Sequence, residues 1–200
     1  MSTANPPKLQ PPGAGLPWWQ LLAARYVLFP LAVRRLTWES ATRLFTKEGE
    51  KVLALWETFP SDRLTERVLV PPLRGIEDSS RFWSAAMTVE HLNIVGFGIL
   101  ELIAGLRAGR MPERAPRIQD VKPRGEMPPT EVRAEFTRLQ ETMLGAAEQP
   151  MAPGVGLRAP HPWFGPIDAF RWHCLLGIHQ RIHRVQLEAI RARLDSPAGQ

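Results

Sequence analysis

The chain has one cysteine, Cys174, among its 200 residues. That excludes an internal disulfide framework and fits a reducing compartment, so a cytoplasmic location is expected. Charge of one sign is also scarce: 25 Lys and Arg against 20 Asp and Glu leave a net charge of +5. The arginines are scattered, with no basic run interleaved with aromatics, so nucleic acid is not an expected partner. No alternating apolar run bounded by hairpin turns occurs, so no strands are expected. The segment Pro17 to Leu36 holds two apolar stretches separated by Arg25, the second interrupted by Pro30 and followed by Arg34 and Arg35. It falls short of the ~20 continuous apolar residues that span a bilayer. Its lead-in holds only Lys8 and no small-residue cleavage site, which argues against a signal peptide.

The chain does hold enough apolar matter for a core. A composition 44% hydrophobic and 22% charged fits a globular fold of one domain. Met1 to Leu16, rich in Pro, Gly and Ala, is expected to be a disordered leader. Pro17 to Leu36 reads as a helix apolar on most sides. It would dock on the domain or on a second subunit, making a homodimer, or else lie at a membrane interface with its arginines at the headgroups.

Four longer helices follow. The first spans about Thr37 to Phe59, with Leu44, Val52, Leu55 and Phe59 as its apolar stripe and Glu48 elsewhere. Asp62 or Ser61 is expected to cap a short turn through Val68. The second helix runs from about Asp78 or Ser79 to Gly109, with Trp83, Met87, His91 and Ile94 on one face. A Pro-rich, charged connection (Arg110 to Pro129) is long enough to cross over the fold or carry function. The third runs from Thr130 to Ala147 and buries Phe136, Leu139 and Met143. After a Gly/Pro loop (Gln149 to Pro160), the last runs from about Pro166, a residue favoured at the first helical position, to Leu194, with a frayed tail. These elements predict an all-α fold: a four-helix bundle over 37–196, preceded by a Pro-rich leader and an aromatic helix over 1–36.

The last helix carries His179 and His183, four residues apart and therefore on one side. They share a seam with Trp172, Leu176 and Gln186 or Leu187, which turns them inward. The second helix offers His91. Counted at about 1.5 Å per residue, His91 and His183 lie at similar depths if these helices are antiparallel. A buried imidazole needs partners. Either each histidine bonds separately in the core, or the three hold one metal ion and leave a position open for water or substrate. Three neutral ligands would leave the ion its +2 charge, suited to activating water or a thiol.

The remaining candidates read less sharply. His173, six residues before His179, falls far round the helix and reads as a surface or supporting residue. His161 lines the mouth of the site or, as is commoner, structures its loop. Cys174 reads as a small core residue. Glu90 sits about 100° from His91 and is not assigned as a base. Trp83, Met87, Trp163 and Trp172 either wall an apolar pocket or are plain core.

The run His161-Pro162-Trp163-Phe164-Gly165-Pro166-Ile167, then Trp172, then His179-Gln-Arg-Ile-His183-Arg-Val-Gln186, resembles the C-terminal signature of the DinB/YfiT-like superfamily. Trp83 to Leu92, a tryptophan with a histidine eight residues on, resembles its second-helix motif. The resemblance spans roughly Leu44 to Leu194. It implies an up-down-down-up bundle in which His91, His179 and His183 ligate a divalent metal, with Zn, Ni and Fe all suited to the donor set. It further implies a metal-dependent enzyme acting on a small molecule, as a transferase using a low-molecular-weight thiol or as a hydrolase. The alternative is a non-catalytic bundle that dimerises or meets a membrane through its N-terminal helix.

Overall fold

A computed structural model describes residues 7–114, 117–147 and 156–196. The chain is mostly helical, with a few short strands. Helix α1 (Trp18–Ala23) passes through a π-helical turn (Ala24–Leu28) into α2 (Phe29–Arg34). Four long helices follow: α3 (Trp38–Trp56), α4 (Ala85–Arg107), α5 (Pro129–Ala147) and α6 (Ala169–Asp195). Strands β1 (Val68–Leu69) and β2 (Phe82–Trp83) pair antiparallel, as do β3 (Arg158–His161) and β4 (Gly165–Asp168).

Side-chain chemistry sets where the long helices begin. Thr37 and Ser40 form a reciprocal capping box at the start of α3. The Ser84 hydroxyl accepts from Met87 N at 3.1 Å, and Asp168 Oδ1 accepts from Arg171 N at 2.9 Å. These caps correct two expected boundaries. Helix α4 starts at Ala85 rather than near Asp78, because Phe82 and Trp83 are extended and paired with β1. Pro166 lies in β4, opposite Pro160, and α6 starts only after Asp168. The expectation of no strands is likewise corrected. Two- and four-residue strands carry no readable alternation, and Pro160 and Pro166 disguise the second pair. The expected cap by Ser61 or Asp62 is also absent: Ser61–Arg63 is a 3₁₀ turn without a side-chain cap.

Cross-helix pairs fix the packing. Helices α3 and α6 run the same way: Thr42 meets His173, Phe45 faces Gly177, and Glu48 pairs with Arg184. Helix α4 runs against α6: Trp83, in the strand just before α4, lies beside His183, and His91, further along, lies beside His179. Helix α5 runs with α4, through Asn93 to the Val132 carbonyl and Gly96 against Leu139. It runs against α3, through Arg133 with Glu57 and Ala147 with Trp38.

The core stripe of α3 is Ala41, Phe45, Val52 and Trp56; Val52 and, just beyond the helix, Phe59 are buried as expected, whereas the stripe shifts from Leu44 and Leu55, which are half-buried, to their neighbours Phe45 and Trp56. The shift buries Glu48, which the sequence placed outside. Burial opposes its ionisation, but hydrogen bonds from Lys51 and Arg184 prevail and hold its carboxyl below the usual range. Helix α4 is long and apolar enough to cross a membrane by length and composition, and 56% of that apolar window is buried inside the protein. That is the burial of a core helix.

The leader is corrected in part. Its described portion is docked: Gly13 N and Gly15 N donate to the buried Glu77 carboxylate at 3.3 and 3.1 Å, and Gln10 N donates to Asp78 at 2.8 Å. An extended Pro/Gly backbone has unused N–H groups, and a buried carboxylate needs donors. Residues 1–6, most of the loop before β3 and the tail from 197 lie outside the described residues.

Candidate metal centre

Helices α4 and α6 bring His91, His179 and His183 together. One ring nitrogen from each lies within 4.8 Å of the other two. His91 Nε2 and His179 Nε2 are 3.2 Å apart. Two nitrogens at about 2.0–2.1 Å from one tetrahedral ion are about 3.3 Å apart, so this spacing fits a shared ligand sphere.

The outer nitrogens decide which way the lone pairs point. His91 Nδ1 lies 2.7 Å from the Val121 carbonyl, which can only accept. Nδ1 therefore carries the proton, and Nε2 presents a bare lone pair. Gln186 Nε2 donates to the Ser80 carbonyl at 2.7 Å, which turns its Oε1 toward His183 Nδ1 at 2.8 Å. His183 thus also donates through Nδ1 and bares Nε2. Such outer partners orient imidazole ligands and set their tautomer. The sequence by itself marks neither group as the partner of a histidine. Gln186, three residues after His183, had the right helical spacing to be found. The Val121 contact is made by backbone in the long connection and leaves no sequence signal.

Burial keeps these rings neutral. It lowers His91 to about 4, against weaker support for the charged form from the Val121 carbonyl. Burial, with each ring opposing the next one's charge, also pushes His179 and His183 well below the ordinary value. Neutral imidazole is the form that binds a metal. Trp83 lies nearly parallel to His183, with ring centroids 6.1 Å apart. It belongs to β2, not α4, and packs against the His91 and His183 rings without lining the cavity beside them.

The three rings border a cavity of about 250 Å³ between α4, α6 and the connection after α4. Its walls are mainly apolar, from Ile94, Ile99, Trp163, Phe164, Trp172 and Ile178. Met87, expected on this wall, packs instead beside Gly125. At the polar edge, Lys122 Nζ bonds Ser79, Ser80 and Glu77 at 2.7–3.3 Å.

The other candidates are placed as follows. His161 borders the cavity and also structures its loop, its Nδ1 accepting from Trp163 N and Phe164 N at 3.1 and 3.2 Å. Burial lowers its pKa to about 3. His173 is not a surface residue. It is 1% exposed, stacked on Trp38 at 3.8 Å and bonded to the Trp38 carbonyl, away from the cavity. Cys174 is a buried core thiol, pushed up to about 12 by burial. Glu90 faces the connection, accepting from Arg124 N and Gly125 N at 3.0 and 2.8 Å. No family model matches this chain, and neither a curated protein nor a solved structure does.

Proposed function

We propose that the chain is a divalent-metal-dependent enzyme of the DinB/YfiT-like type, with His91, His179 and His183 as the ligands. The observation that carries this reading is the convergence of ring nitrogens. His91 and His183 have their Nδ1 protons committed outward, so their Nε2 lone pairs turn inward beside His179. An up-down-down-up four-helix bundle is the matching fold reading. It is supported by the parallel pairs α3/α6 and α4/α5 and the antiparallel pairs α4/α6 and α3/α5.

Among the described residues no carboxylate joins the three nitrogens, so a bound ion would keep its double positive charge and act as a Lewis acid toward water or a thiol. The chain's own groups supply the rest. Val121 and Gln186 hold two rings in their ligating tautomer. Ile99 and Trp172, both buried, give the cavity an apolar wall beside them. The apolar walls select a small substrate with a largely apolar body, in either thiol transfer or hydrolysis.

The test is the metal-to-protein ratio of protein purified without a metal-binding tag, with His91→Ala in parallel. A ratio near one in the wild type and near zero in the variant is expected. Equal content in both, or none in either after reconstitution with zinc, nickel or iron, overturns the reading.

A further inference from the structure

We propose that the N-terminal helix docks the protein on an anionic lipid surface. The second half of this helix is anchored on the bundle. Phe29 stacks on Phe164 with ring centroids 4.2 Å apart, and Phe29 and Val33 are each 7% exposed. Elsewhere the helix is left bare: Trp18 is 74%, Tyr26 65% and Trp19 58% exposed, along with Leu22 and Leu31. The first half of the helix, Trp18–Leu28, buries no residue, so its exposed side chains are not used for packing within the chain. Large exposed apolar patches mark contact surfaces.

The π turn at Ala24–Leu28 joins the unburied first half of the helix to the anchored second half. It inserts one residue and turns the second half of the helix by about 100° relative to the first. After the turn Phe29 and Val33 are buried while Leu31 and Arg34 stay exposed.

Charge names the occupant. The first acidic residue of the chain is Glu39, whereas Arg25, Arg34 and Arg35 are exposed along the helix and at its end. A symmetric contact between two copies through this face would bring those arginines together, with no carboxylate in the segment to pair them. Anionic headgroups supply that negative charge, and Trp and Tyr rings suit the boundary between headgroup and acyl chain. Because Phe164 both receives Phe29 and borders the histidine cavity, the docked helix lies at the rim of that cavity.

The experiment is co-sedimentation of the full chain with vesicles of equal parts phosphatidylglycerol and phosphatidylcholine, and with pure phosphatidylcholine vesicles. Two variants, Trp18→Ser with Trp19→Ser and Arg34→Glu with Arg35→Glu, alter only exposed side chains. Binding to the anionic vesicles is expected, at least about ten-fold weaker for pure phosphatidylcholine and for both variants. Unchanged circular dichroism and metal content in the variants show that the fold and the histidine centre are intact. No sedimentation of the wild type, or equal sedimentation of wild type and variants, overturns the proposal. So does a dimer in analytical ultracentrifugation that the Trp18/Trp19 variant abolishes while vesicle binding is absent, which would assign the face to a second copy.

Discussion

His91 and His179 approach Nε2 to Nε2 at 3.2 Å from two helices of opposite direction. With the His91 proton held on Nδ1 by the Val121 carbonyl, this contact has two states: a hydrogen bond donated by His179, or two lone pairs on one ion. An ion that binds only the folded chain stabilises it by mass action, by about 2.7 kcal/mol at a hundred-fold excess over Kd. Thermal unfolding of chelator-treated protein should therefore shift upward on adding zinc or nickel. The His91→Ala and His179→Ala proteins should show no such shift. An equal shift in all three would place the ion elsewhere.

Gln186 links His183 to the Ser80 carbonyl. Gln186→Leu frees the His183 ring to rotate and orphans that carbonyl. Metal affinity should fall about 10- to 100-fold, as when other outer partners are removed. Stability of the metal-free protein should fall by about 1–3 kcal/mol. Competition with a chromophoric chelator reads the first effect and urea unfolding the second. Unaltered affinity would show that Gln186 does not orient the ligand.

Gly177 lets α6 approach α3 closely. A Cβ there would sit 2.9 Å from both Leu44 Cγ and the backbone N of Phe45, and backbone cannot yield. Gly177→Ala should cost about 1–3 kcal/mol in urea unfolding. Gly98, in α4, is the contrast: nothing lies within 4 Å of its Cβ position. Gly98→Ala should stabilise by about 0.5–1 kcal/mol. Similar effects at the two sites would contradict the close α3–α6 contact.

His173 predicts an acid limb in stability. Burial depresses its pKa, helped by the Arg107 charge and opposed by the Trp38 carbonyl. The unfolded chain takes up this proton below about pH 6.5, while the folded one resists. The stabilising contribution is therefore complete above that pH and is lost as pH falls toward the depressed folded value. Its slope reaches at most about 1.4 kcal/mol per pH unit. His173→Phe removes the titration but keeps a ring on Trp38, whose carbonyl still receives the Thr42 hydroxyl at 3.0 Å. Urea unfolding between pH 7 and pH 5, with chelator present, should show a shallower loss in this variant. Parallel losses would exclude His173 as a source of the limb.

The chain's own pattern determined a good deal. The i, i+4 spacing of His179 and His183 and the apolar seam around them dictate that both rings share one inward side, because helical periodicity is local. Phe136, Leu139 and Met143 announce the buried face of α5 in the same way. Tertiary structure alone decided what depends on contacts distant in sequence. Counting from a helix start near Asp78 gives His91 and His183 matching depths; α4 starts at Ala85, so the meeting of these rings depends on where the extended Phe82–Trp83 segment sets α4 against α6. The proton on His91 is set by the Val121 carbonyl, thirty residues away, since every residue carries that group and no side chain marks it. Glu48 is interior because Arg184 reaches it across α3 and α6, and His173 is interior because Trp38 covers it. The strands around Trp83 and His161 exist because chain pairing, not local propensity, satisfies their backbone. Local periodicity fixes which side of a helix faces inward; partners from elsewhere in the chain fix what each inward group bonds to.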